Sequence, residues 1–426
     1  MSPALSLKRV TRVFVALSSL DMCAEFLWGA TGVLYFRQEG LTAGQVGLVL
    51  ACFWWSEAVF QVPTGLLADL IGRRPTVILS YLLRAVGYLL LTLPGGFGTA
   101  VAAFAVVGLG STCAAGALNA WAADSAEAAG GSGGLDRLFS LARIGENAGV
   151  VAGSIAGALI GGAGLVLPFY GTAVLFLVTA AVAARCMVEP RKPKSGGNAR
   201  ADLVRSVREI ASGVTVLLRS GRELRKLMVL GALPQLASSA PGIQWTVYLS
   251  TFTGGQLWLL GGTRSVAYLL GIGGAVVVGV AVARWRTRTP VLAAGAVLGA
   301  AGLVLAAWVP VAVAAFTGYI VYVASRSIVE PGVMAALNEQ IPARTRATAL
   351  SAYSLLVSLA AGGGFTVLGL LLSDLSLVRT SWTVGGLLLL AGGLPLAWQA
   401  GAHQRARALR AGPEPTPSPV TSGAAS

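Results

Sequence analysis

Apolar runs of about 20 residues recur along the whole chain, and short loops holding most of its arginines and lysines separate them. A run of that length crosses the hydrocarbon of a bilayer as a helix, which satisfies its own backbone N–H and C=O groups without water. With 55% hydrophobic and only 11% charged residues over 426 positions, a water-soluble globule would lack the polar surface to cover itself. The chain is therefore predicted to be an all-α integral membrane protein, with the lipid bilayer as its solvent.

A net charge of +14 suggests nucleic acid at first sight, but its placement is a topology signal. Lys8, Arg9, Arg12, Arg73, Arg74, the central loop, Arg284 to Arg288, Arg344, Arg346 and the carboxyl end fall on one side of the alternating runs. Arg37 and Arg379 fall on the other. Basic loops stay in the cytoplasm, so both termini are predicted to be cytoplasmic, in a multi-pass protein of the cell (inner or plasma) membrane. Nucleic acid is not an expected partner. The amino end lacks the small-residue cleavage site of a signal peptide, so the first helix is expected to stay attached.

The most specific stretch is Gly65-Leu66-Leu67-Ala68-Asp69-Leu70-Ile71-Gly72-Arg73-Arg74-Pro75, a polar hinge between two apolar runs. Gly65 and Ala68 let a helix end pack closely, Gly72 with the arginines makes a tight basic turn, and Pro75 suits the first turn of the next helix. The stretch resembles the signature loop between the second and third transmembrane helices of the major facilitator superfamily, departing from it at Leu70, where a basic residue is usual. The resemblance implies twelve transmembrane helices in two pseudo-symmetric six-helix halves and transport by alternating access. It also implies a cytoplasmic latch of Gly65, Asp69, Gly72, Arg73 and Arg74, joined by Arg346, since Arg346-Ala347-Thr348 with Ser351 resembles the family's start of helix 11. Residues 1–190 and 226–403 are then the two halves. Residues 191–225 form a cytoplasmic linker, with an amphipathic helix read from Leu203, Val207, Ile210, Val214 and Leu217. Residues 404–426 read as a disordered tail. A weak echo of the hinge runs from Gly279 to Arg288.

The predicted first helix, residues 12–36, carries Asp21, Glu25 and Trp28 on one face. Carboxylates at membrane depth face a cavity or a partner. They read either as a proton-coupling, cation-attracting site or as a structural ion pair. Glu57 on helix 2 reads as a packing or gating group, and Arg84 on helix 3 as the partner of a nearby acid. On helix 5, Gly149, Gly153, Ser154 and Gly157 resemble the superfamily's antiporter motif in part, with Ser154 where proline is usual; close helix packing explains such a run equally well. Helix 7 is predicted to be interrupted at Pro234 and Pro241-Gly242. Helix 10 places Tyr319, Tyr322, Arg326 and Glu330 on one face, with a kink at Pro331-Gly332. The counter-charge of Arg326 is Glu330 one turn away, or Glu25 or Asp21 across a cavity.

In the superfamily helices 1, 4, 7 and 10 surround the substrate path. The resemblance thus implies a cavity lined by Trp28, Asn119, Gln235, Gln244, Trp245, Tyr319, Tyr322, Arg326 and Glu330. Cys23, Cys52, Cys113 and Cys186 are scattered without ligand spacing and His403 is the sole histidine, so neither a metal nor a disulfide is suggested. No phosphate-cradling Gly-x-x-x-x-Gly-Lys-Ser/Thr occurs, and no constellation of an enzyme or cofactor site. The expected function is proton-coupled efflux of a small amphipathic drug or metabolite by a monomer. The alternatives are proton-linked uptake of a nutrient or metabolite, and a non-transporting membrane sensor or scaffold.

Overall fold

A computed structural model describes residues 6–130, 135–189, 222–285, 289–341, 346–371 and 377–411. The described residues form helices α1 (Leu7–Leu27), α2 (Gly32–Gln38), α3 (Ala43–Ile71), α4 (Arg73–Leu90), α5 (Gly96–Ala128), α6 (Leu135–Ala163), α7 (Leu167–Cys186), α8 (Arg222–Ser250), α9 (Trp258–Trp285), α10 (Thr289–Trp308), α11 (Ala312–Gln340), α12 (Arg346–Leu371) and α13 (Val378–Ala411). Taken together as one broken span, α1 and α2 bring the described spans to the expected twelve. Nine of them meet strict limits of length and hydropathy for crossing a membrane. Large apolar side chains such as Leu159, Val313, Leu370 and Leu387 stand fully outward, as a lipid-facing surface requires.

The packing partners repeat. In the first half α1 packs on α6 and α7, α5 on α3 and α4, and α4 on α7. In the second, α8 packs on α12 and α13, α11 on α9 and α10, and α10 on α13. The second set is the first moved along by six spans, which is the pseudo-symmetry of the two halves. Between the halves α3 meets α12 and α6 meets α9, a pair of contacts related in the same way.

Local chemistry sets the element ends. Thr42 caps α3 by accepting from the Gln45 amide at 3.1 Å, while Gln45 Oε1 accepts from the Thr42 amide at 2.9 Å. Gly72 turns the chain between α3 and α4 at φ +99°, a region open to glycine. Close approach explains the glycines of α6. A Cβ at Gly149, Gly153 or Gly157 would collide with the carbonyl oxygens of Ser19, Cys23 and Leu27 in turn, so the run is the surface on which α1 lies.

Three expectations about helix continuity change. The first span is not one helix over 12–36: it breaks at Trp28 to Thr31 and restarts at Gly32. Helix 7 is not interrupted, for α8 runs through both Pro234 and Pro241. The carbonyls those prolines leave without a donor, Leu230 O and Ala237 O, face glycines of α13, and a Cβ at Gly392 or Gly385 would stand 3.0 Å from them. Such contact lets glycine Cα–H groups approach the orphan oxygens. α11 runs through Pro331 as one helix, which is compatible with the kink expected there. At the carboxyl end α13 continues to Ala411, into the stretch read as tail. The linker helix expected around 203–217 lies outside the described residues, as do positions 412–426.

Candidate functional site

The polar centre of the first half lies between α1 and α4. Asp21 and Glu25 are one turn apart on α1, and Arg84 and Tyr88 one turn apart on α4, so two matched pairs meet face to face. Arg84 Nη1 donates to Asp21 Oδ1 and Nη2 to Glu25 Oε2, both at 2.6 Å, and Tyr88 Oη donates to Glu25 Oε1 at 3.0 Å. The guanidinium also lies over the Phe176 ring, 4.1 Å from its centroid. Exposure grades the group: 5% for the Arg84 side chain, 11% for Asp21 and 22% for Glu25. One cation thus serves two carboxylates, and Glu25 is the more exposed of the two. Trp28 follows on the same face, but it packs into the first half's aromatic core against Tyr88, Phe104 and Phe169. A second carboxylate site stands on α3, where Glu57 Oε1 accepts from Ser111 Oγ of α5 at 2.8 Å.

The second half builds a different group. Arg326 Nη2 donates to Glu330 Oε1 at 2.5 Å and to Gln235 Oε1 at 3.0 Å, so the counter-charge is the near one, not Glu25 or Asp21 across the bundle. This pair is open, with 25% of the Arg326 side chain and 50% of Glu330 exposed. It borders a cleft lined by Pro234, Ser325, Val329 and Leu389 among others. Trp245 and Tyr319 stack with ring centroids 4.9 Å apart and planes 5° from parallel, and Tyr322 follows at 6.1 Å. Gln244 belongs elsewhere: buried, it accepts from Ser381 Oγ at 2.8 Å and Trp382 Nε1 at 3.0 Å on α13, a packing role within the half and not a cavity wall. Asn119 stands on an exposed face of α5.

At the hinge the arginines bind their own half. Arg73 Nε meets Asp124 Oδ2 at 3.1 Å at the end of α5, and the Arg73 amide donates to Glu189 Oε1 at 2.6 Å beyond α7. Arg74 Nη2 donates to the Ala184 carbonyl. The backbone at Gly65 and Asp69 continues α3, and Arg346 opens α12; the side chains of Asp69 and Arg346 lie outside the described residues. Asp124 and Glu189 are partners that sequence reasoning did not assign, because they come from helix ends distant in the chain. The Arg84 bridge had a usable signal in the equal four-residue spacing of Asp21/Glu25 and Arg84/Tyr88.

Between the halves, Gly47 lies against Gly369, Trp55 Nε1 donates to Thr366 Oγ1 at 3.0 Å, and Gln61 Nε2 donates to Ser354 Oγ at 2.8 Å along α3 and α12. On the opposite side Ser265 Oγ of α9 donates to the Val151 carbonyl of α6 at 3.2 Å. The hydrogen bonds along α3–α12 and α6–α9 join neutral groups, a pairing that can open without leaving a buried charge.

Comparison with known proteins places this geometry. The chain is similar in structure to a mutant of the nucleoside transporter NupG, with a TM-score of 0.74 at 14% identity over 92% of this chain and 99% of that one. It is similar also to the peptide transporter POT in complex with sulfate, TM-score 0.72 at 16% identity, covering 93% of this chain and 95% of that one. A bacterial homologue of the human drug peptide transporters PepT1 and PepT2 gives a TM-score of 0.69 at 15% identity over 95% and 99%. No curated protein matches in sequence. At such identities the likeness speaks for the fold alone. The sequence profile of the Major Facilitator Superfamily matches residues 13–365, nearly the whole chain, and the protein is a member of that superfamily of transporters.

Proposed function

We propose that this protein is a proton-coupled secondary transporter that exports a small amphipathic molecule by alternating access. The observation that carries the coupling is the charge balance between α1 and α4: two carboxylates at membrane depth share the one guanidinium of Arg84, leaving a negative charge in excess. One proton removes that excess. Glu25, the more exposed of the two, exchanges it with the cavity, and Asp21 and Tyr88 hold the arginine and carboxyl in place for the exchange. In the inward-facing state cargo enters between the halves and displaces the proton; the seams α3–α12 and α6–α9 reopen on the other side, the cargo leaves, and an external proton resets the carrier.

Purified protein in inside-out proteoliposomes with a pH dye tests this. Cargo-dependent proton movement is expected in the wild type and is expected to vanish in Glu25→Gln and in the double variant with Asp21→Asn. Proton-coupled transport by the single and double variants equal to that of the wild type would sink the assigned role.

The direction has a second reading. Export rests on the partial antiporter run of α6, and those glycines already have a packing reason against α1. Proton-linked uptake is favoured by the nucleoside and peptide transporters among the structural neighbours. Oriented vesicles separate the two: under an imposed proton gradient, accumulation of cargo on the side that protons leave assigns export, and accumulation on the side that protons enter assigns uptake.

A further inference from the structure

Three arginines stand away from the ends of the described helices with side chains that are buried or half-buried, and two of them have carboxylate partners: Arg84 with Asp21 and Glu25, Arg326 with Glu330. The third, Arg264 on α9, has none within 4.0 Å among the described residues. Its guanidinium reaches across to the first half and donates from Nη1 to the Gly29 carbonyl at 3.2 Å, at the point where the first span breaks between α1 and α2. Two aromatic rings flank it, Phe26 of α1 with its centroid 4.4 Å away and Trp245 of α8 at 5.4 Å. The Trp245–Tyr319 stack continues from there into the second half. The side chain is half-buried, neither sealed in the core nor turned to lipid.

A guanidinium has five N–H donors, and one carbonyl with two ring faces supplies neither a net counter-charge nor a fork of acceptors. Within a membrane bundle a cation in that condition is stabilised by an anion that fits the fork. The break at Trp28 to Thr31 and the lack of a side chain at Gly29 let the guanidinium lie this close to the first span, since a Cβ there would stand 3.0 Å from Nη1. We infer that Arg264 is the anion-binding residue of the path, taking a carboxylate or phosphate group of the cargo beside the rings of Phe26 and Trp245. The inference rests on the transport reading above and narrows its cargo to organic anions. It also sets the charges in a working order: protons go to the acidic cluster of the first half, the anion to Arg264 of the second.

Iodide is a suitable probe, because it is a weakly hydrated anion and quenches tryptophan on contact. Full-length protein in phosphatidylcholine nanodiscs is titrated with iodide and, at matched ionic strength, with caesium, a cationic quencher. The wild type is expected to show a saturable iodide component and none with caesium; Arg264→Gln and the reporter control Trp245→Phe are expected to lose it, and Arg264→Lys to retain it. Benzoate is expected to displace iodide, and benzamide, its neutral counterpart, to fail. An iodide response that is linear in the wild type, or equally saturable in Arg264→Gln, overturns the assignment even if one variant folds poorly, since the wild-type contrast of iodide with caesium stands alone. Displacement by benzamide as effective as by benzoate overturns it too. Loss of the component when phosphatidylglycerol is added to the discs would assign the site to a lipid headgroup instead of cargo. The transport reading fails separately: a saturable site with no proton movement removes that reading and leaves the anion site, and proton movement without the site does the reverse.

Discussion

The two halves share their packing and differ in their charges. The main helix pairings of the first half have their counterparts six spans on. Yet Arg84 sits on α4, while the equivalent span α10 carries no charged residue between Pro290 and Trp308. The first half closes its charge inward, with Arg84 linking two helices at 5% exposure; the second holds Arg326 and Glu330 on one helix, open to a cleft. Packing between small residues depends on shape and is copied with the fold. Placement of charge depends on a few side chains and diverges freely, which is how one architecture serves different cargoes.

The contrast predicts unequal consequences when charges are removed. Arg84→Gln leaves the buried Asp21 and the half-buried Glu25 without their cation and is expected to lower stability by about 3–5 kcal/mol, read as a large fall in the thermal unfolding midpoint in detergent. Adding Asp21→Asn and Glu25→Gln to it is expected to restore most of that midpoint; failure to do so would show that Arg84 acts through packing on Phe176 rather than through charge. Gly157→Val comes next, pushing α6 from α1 at Leu27, with an expected loss of about 1–3 kcal/mol. Gly116→Ala, at a glycine with open space around it, is its control and is expected to change the midpoint little. Smallest is Glu330→Gln, which removes an exposed, single-helix pair and is expected to shift stability by less than about 1 kcal/mol. A fall as large as that of Arg84→Gln would erase the distinction between the halves. Transport kinetics sharpen it from the other side, since Glu330→Gln frees Arg326 beside the cleft and is expected to alter cargo selectivity before it alters folding.

Much of the fold was legible because lipid permits few answers. Runs long enough to span must be helices, and their number and length can be read without reference to any contact. The hinge from Gly65 to Pro75 pointed to the superfamily through a dense local pattern, and the profile match over 13–365 agrees with it. Where reading stopped, the reason was neighbours. Pro234 and Pro241 break an isolated helix, but Gly392 and Gly385 of α13 receive the freed carbonyls and α8 stays whole. Gln244 and Trp28 have the chemistry of a cavity wall and were drawn into the cores of their own halves by Trp382 and by Phe104 with Phe169.

The sequence by itself determined that this chain is a multi-span helical membrane protein of a recognisable superfamily, with carboxylates and arginines set at membrane depth. Period, length and charge placement are properties of one segment at a time, and a bilayer acts on each segment alone. Only the tertiary structure decided which arginine serves which acid, that the first span breaks where Arg264 crosses to Gly29, and that the glycines of α6 exist for α1. Pairing among charges is a competition settled by distance and burial. Those distances exist only once the helices are packed.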